Sequence, residues 1–174
     1  MIRRRRWGPR ARRPTSSAYD LGTLDQAREG FETHDLRGVL VSGSHRCASD
    51  TPSACDGTTT VCGGGDQPYP ISDPAHEVAS SFHALHRGLT EAEPDLRVAS
   101  LHGTSQDGAS VSDGTDLAGR AGTFAARFTL ALASAFPAEP VTTCNAFPGA
   151  THEVRLCGTT NVQGRHLNGS PEAP

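Results

Sequence analysis

Apolar residues recur with a helical period in three stretches of the chain and mark three shorter strand-like segments between and after them. Leu21, Leu24, Ala27 and Phe31, three or four apart, predict a helix over Asp20 to Thr33, with Gly30 weakening its end. Val78, Phe82, Leu85 and Leu89 mark one apolar stripe on a second helix. Ser72 or Asp73 would cap it, Pro74 suits its first turn, Glu77 favours its dipole, and Pro94 closes it. Asp116 caps a third predicted helix running to about Ala135, with Leu117, Ala121, Phe124, Phe128 and Leu132 turned inward. The continuous β-branched and aliphatic run Val39-Leu40-Val41 predicts a strand over Leu36 to Ser44, Val98 and Leu101 predict a second over Leu96 to His102, and Val141 to Cys144 reads as a third. Helix and strand alternate, so the expected fold is α/β, three layers about a mainly parallel sheet, loop-rich and incomplete at its C-terminal end.

Between the first two strand and helix signals, His45 to Pro70 is rich in Gly, Ser, Thr, Asp and Pro. A loop of this length is either a binding loop or lid held by its cysteines, or disorder. The segment Gly103 to Thr115 reads as a shorter polar loop, and little is assigned beyond Asn145.

The 174 residues suit one domain, and Gly and Pro outnumber aromatics, so the core is modest. A mean hydropathy of -0.44 and the lack of a long apolar run exclude a transmembrane helix. All 16 basic residues are Arg, seven of them among the first 13 residues. From Pro14 onward nine Arg face 19 acidic residues. An acidic body argues against sequence-independent nucleic-acid binding. The expected organisation is an Arg-rich disordered leader over 1–18, a single α/β domain over 19–170 and a disordered tail over 171–174.

Five cysteines without a C-x-x-C pair point away from a zinc ribbon or a thioredoxin-type motif. Disulfide-closed loops are the alternative: Cys144 with Cys157, and one bridge within the group Cys47, Cys55 and Cys62. An odd thiol is left over. This usage favours an oxidising compartment, secreted or periplasmic.

His45 and His102 end the first two predicted strands, each after a Ser and before a polar loop. In open α/β sheets ligands bind beyond the carboxyl ends of strands, so parallel neighbours would bring both imidazoles to one crevice. Two His with a carboxylate or water is a common catalytic zinc set, and Asp107 or Asp113 would supply the oxygen. Arg46 beside His45 suits bidentate binding of an anion. On the second helix, His76 and His83 lie roughly 130–150° from the apolar stripe at about 100° per residue, which predicts a solvated face for His83. His76, in the expected first turn, would face the crevice. Within Cys157 to Ser170, Arg165 is placed to clamp an anion, with Asn161 and Asn168 orienting it.

The segments Gly43-Ser44-His45-Arg46-Cys47-Ala48, Asp73-Pro74-Ala75-His76 through Phe82 and His86, Ser100-Leu101-His102-Gly103, and Cys157 through Ser170 together resemble a group of bacterial exported proteins. These are distantly similar to zinc-dependent amidohydrolases of the N-formylglutamate amidohydrolase type. The resemblance spans about Tyr19 to Ser170 and implies a metal site that maps onto His45 and His102, without an evident further ligand after the last strand. The expected function is a metal-assisted hydrolase of an amide or peptide-like substrate with an anionic group. His45 and His102 would hold zinc, Glu77 or Asp107 would serve as general base, and Arg46 and Arg165 would bind the anion. A serine-type hydrolase and a disulfide-stapled extracellular binding module are the alternatives. G-x-S-x-G is absent, since Gly103-Thr104-Ser105-Gln106-Asp107 fails at its last glycine.

Overall fold

A computed structural model of the chain describes residues 22–34, 36–63, 65–103, 107–115, 117–153 and 157–171. The expected leader lies outside the described residues, as do Asp116, Thr104, Ser105 and most of the expected tail.

The described chain is a mixed α/β structure. Helix α1 (Thr23–Thr33) is followed by two short strands, β1 (Thr58–Thr59) and β2 (Gln67–Pro68), and by helix α2 (Ser81–Ala92). Strand β3 (Ala109–Val111), helix α3 (Phe124–Ala135), strands β4 (Val141–Thr143) and β5 (Thr151–His152), and helix α4 (Val162–Leu167) complete the order. β3, β4 and β5 form a parallel sheet in that order, in register Ala109↔Val141 and Thr142↔Thr151, while β1 and β2 pair antiparallel. α3 packs on β4, and α2 packs on α4.

The first helix and the last predicted strand occur close to their expected bounds. The strands expected over Leu36 to Ser44 and Leu96 to His102 do not form; both segments are irregular, and Val39 and Val41 are exposed. An apolar run makes a strand only when a neighbour completes its ladder, and the sheet instead recruits β3 from the segment read as a loop. Gly108 admits that strand: it sits at φ 80, and a Cβ there would strike the Pro140 carbonyl.

α2 begins at Ser81, not at Ser72 or Asp73. Side chains take over the backbone groups that a helix there would need: Asp73 Oδ1 accepts from Ala75 N at 3.1 Å and Glu77 Oε1 from Ala79 N at 2.7 Å. Ser80 then caps the helix, accepting from His83 N. α3 likewise starts late, capped by Thr123, after Gly122 at φ 78.

The orientation of α2 is the main correction. His83 is 1% exposed, although the sequence pattern puts it on the solvated face, whereas Leu85 is 56% exposed. α2 turns its His83 and His86 side to α4, because α4 is the element that covers it. α3 behaves the same way, burying Ala126 and Thr129 while Phe124 and Phe128 stay partly exposed.

Among the described residues the buried apolar set is Cys55, Ala126, Cys144, Phe147 and Val162, and more polar side chains than apolar ones are buried. Among these Asn145 is the most connected, with Nδ2 donating to the Thr115 and Leu117 carbonyls at 3.0 Å and Oδ1 accepting from Asp113 N. Disulfides Cys47–Cys62 and Cys144–Cys157 close two loops, as the spacing suggested, and Cys55 is buried as a thiol. No helix among the described residues is long and apolar enough to cross a membrane.

Candidate functional site

The turn-rich segment between Tyr69 and Ser80 supplies the site. Asp73 N donates to the Pro70 carbonyl and His76 N to the Asp73 carbonyl, so two successive tight turns set the carboxylate and the imidazole on one side. His76 Nδ1 lies 3.1 Å from Asp73 Oδ2, and its Nε2 lies 3.0 Å from Thr160 Oγ1. Tyr69 stacks on the imidazole with ring centroids 3.6 Å apart and planes within 1°. The result is a line of carboxylate, imidazole and hydroxyl that runs from the interior to the surface. The Asp73 side chain is 3% exposed and that of His76 14%, while Thr160 is exposed.

Thr160 is held there by α4. Asn161 caps that helix, its Oδ1 accepting from Gln163 N and Gly164 N. Val162 N donates to the Ala75 carbonyl and Gln163 Nε2 to the Pro74 carbonyl, which ties the helix start to the His76 turn. Arg165 Nε donates to the Thr159 carbonyl at 2.9 Å and its Nη1 to that of Pro171. Arg165 and Asn161 therefore brace the segment that presents Thr160, and Asn168 ties it to Asp113 through the Asp113 carbonyl.

Burial resists ionisation of Asp73, but the hydrogen bond and positive charge of His76, the backbone of Ala75 and the charge of Arg46 outweigh it and lower the carboxyl below its usual range. Arg46 reaches this neighbourhood because its loop docks on the same turns: Ser72 Oγ donates to the Arg46 carbonyl at 2.6 Å and Ser44 Oγ to the Ser72 carbonyl at 3.1 Å. Cys55 also lies near. Burial raises its thiol pKa, Glu77 adds to the effect, and Arg165 opposes it.

The expected residues fall in two groups. His76, Glu77, Arg46, Arg165 and Asn161 meet around the Asp73 turn. His102 does not share a strand-end crevice with His45, since neither follows a strand; its Nε2 lies 3.1 Å from Ser100 Oγ. Asp107 is exposed at the turn before β3, and Asp113 Oδ1 accepts from Thr115 N and Oγ1. His45 Nδ1 accepts from Cys47 N at 3.2 Å. Among the described residues no group of three or more His, Cys, Asp or Glu stands as a metal would require. His45 and His102 are not brought to one strand-end crevice, and no chemical step is routed through them.

Thr160, Tyr69 and Asp73 are the members of the site that sequence reasoning did not single out for chemistry. The signal was present in Asp73-Pro74-Ala75-His76, a short spacing that suits a turn, but it was absorbed into a helix start. Set against protein-family models, curated proteins and solved structures, the chain matches none of them.

Proposed function

We propose that the protein hydrolyses an amide or peptide-like substrate carrying an anionic group, with His76 as general base and Thr160 as nucleophile. The observation that carries this reading is the line Asp73 Oδ2, His76, Thr160 Oγ1, with bonds of 3.1 and 3.0 Å and its hydroxyl end at the surface. A nucleophile within hydrogen-bond reach of a base that a third group orients is the general form of activated hydroxyl catalysis. Asp73, ionised, fixes the tautomer with the proton on His76 Nδ1 and leaves Nε2 to accept. Thr160 Oγ1 attacks the carbonyl carbon as its proton passes to Nε2. That proton then goes to the departing amine as the C–N bond breaks, leaving an ester on Thr160. Water, losing a proton to Nε2, cleaves that ester, and Nε2 returns the proton to Oγ1. Arg46 is the cation we assign to the substrate's anionic group.

Two disulfides support an oxidising compartment, secreted or periplasmic, as part of the proposal. We extend it to the three-layer arrangement, with the small parallel sheet as the middle layer.

The test is turnover of N-acyl amino-acid anilides and esters by the wild type, His76→Ala, Thr160→Ala and Thr160→Ser. His76→Ala and Thr160→Ala should each lose at least ~100-fold in kcat, with Thr160→Ser retaining activity. Absence of turnover, or activity indifferent to His76, would overturn the proposal in favour of a binding module. Activity that follows bound zinc and vanishes in His45→Ala, with Thr160→Ala unaffected, would overturn it in favour of a metal mechanism.

A further inference from the structure

Three imidazoles converge where α2 meets α4. The ring centroids of His83 and His86 are 6.2 Å apart, His83 and His166 6.0 Å, and His86 and His166 5.9 Å, a nearly equilateral triangle. His83 is 1% and His86 6% exposed, and both belong to the face of α2 that α4 covers. Thr90 completes the group: its hydroxyl donates to the His86 carbonyl at 2.9 Å and lies 3.1 Å from His166 Nε2. A hydroxyl has one proton, which here goes to a carbonyl, so Thr90 Oγ1 accepts from His166 Nε2–H.

Among the described residues, charged side chains on α2, α4 and the segments beside them also bond to other groups. On α2, Arg87 pairs with Glu91 at 3.0 Å on the exposed side. Ahead of α2, Glu77 binds Ala79 N. On α4, Arg165 holds the Thr159 and Pro171 carbonyls, and Asp113 of the turn beside α4 holds Thr115. Histidine is the side chain whose charge changes between neutral pH and mild acid. Two protons added to this cluster place like charges about 6 Å apart in a buried seam. The element with less to hold it must yield. α4 has six residues against the twelve of α2, and Val162 is its one buried apolar side chain.

We propose that the His83–His86–His166 cluster is a proton-operated latch that docks α4 on α2 at neutral pH and releases it in mild acid. Cys157, bridged to Cys144, tethers the released segment, so the opening is local and reversible. The latch stands apart from the hydrolase reading and rests on it only for its consequence: Thr160 directly precedes Asn161, the cap of α4, so release would part Oγ1 from His76 Nε2 and switch the site off.

Hydrogen exchange read by mass spectrometry on the full chain, disulfides intact and EDTA present, at pH 7.5 and 5.5 with intrinsic rates corrected, tests the latch without reference to activity. Peptides covering 157–171 should lose at least ~10-fold in protection at pH 5.5 while those of α3 and β4 hold theirs. His166→Gln, which keeps an N–H for Thr90, and the pair His83→Leu with His86→Leu should each shrink that response. His76→Gln, which removes the other histidine bonded to this segment, should leave it in place. Asp73 stays ionised throughout this window, since its carboxyl titrates below the usual range. No selective loss over 157–171 in the wild type would overturn the latch, whatever the variants do. So would an undiminished response in His166→Gln, a response abolished by His76→Gln, or one seen only with zinc in place of EDTA.

Discussion

Asp73 shows how one buried carboxylate joins stability to chemistry. Its folded pKa is lower than its ordinary value, so its stabilisation is fully present above about pH 5 and disappears as pH falls through the folded value, below 3.8. Asp73→Asn should therefore melt below the wild type at pH 6, with the gap closing toward pH 2, as thermal unfolding monitored by circular dichroism will show; parallel curves would rule out the ionised Asp73–His76 pair as the cause. The residue types of this site were readable in the chain, and His76, Glu77 and Arg46 were singled out by their neighbours. Thr160 was not, because a hydroxyl 84 positions away becomes a partner only when Val162 N and Gln163 Nε2 dock on the Pro74–Ala75 backbone.

At the scale of elements, α2 is where pattern and packing part. Its spacing of Phe82, Leu85 and Leu89 correctly reports an amphipathic helix, but amphipathicity names an apolar side without naming the neighbour. The neighbour is α4, which meets His83, His86 and Thr90. Substitutions should invert the usual ranking: Leu89→Ser, at a 53% exposed position, changes stability by less than ~0.5 kcal/mol, whereas His83→Ala destabilises by about 2 kcal/mol through the lost buried volume. Chemical denaturation at pH 7.5 measures both, and a larger effect at Leu89 would show that the apolar stripe faces the core. β4 was legible because Val141 to Thr143 is flanked by Pro140 and the buried turn at Asn145. β3 was not, because Ala109-Ser110-Val111 has no apolar run and exists as a strand only in register with β4.

For the molecule as a whole, the covalent loops compensate for a thin core. Among the described residues five buried apolar side chains, two of them cysteines, leave little apolar area to oppose chain entropy. The paired substitution Cys144→Ser and Cys157→Ser should lower stability by about 3 kcal/mol, the chain-entropy value for a loop near this length. Urea unfolding gives the number, and loss under about 0.5 kcal/mol would mean that the bridge constrains nothing. α4 and the β5 end of the sheet would loosen first, since Cys157 lies between them.

The chain's own order of residues decided what is local. Cys144 and Cys157 are close enough in sequence to close a loop in any fold, the period of α1 demands a helix, and Pro94 stops α2. Longer-range facts had to wait for the fold. Which face of α2 is covered, which of Cys47 and Cys55 pairs with Cys62, and that Asn145 satisfies Thr115, Leu117 and Asp113 all follow from where the backbone brings distant segments together. The physical reason is the same in each case. Periodicity and capping are energies of neighbours along the chain, while burial and hydrogen-bond satisfaction are energies of neighbours in space, and in a core this small and polar the second kind chose the orientation.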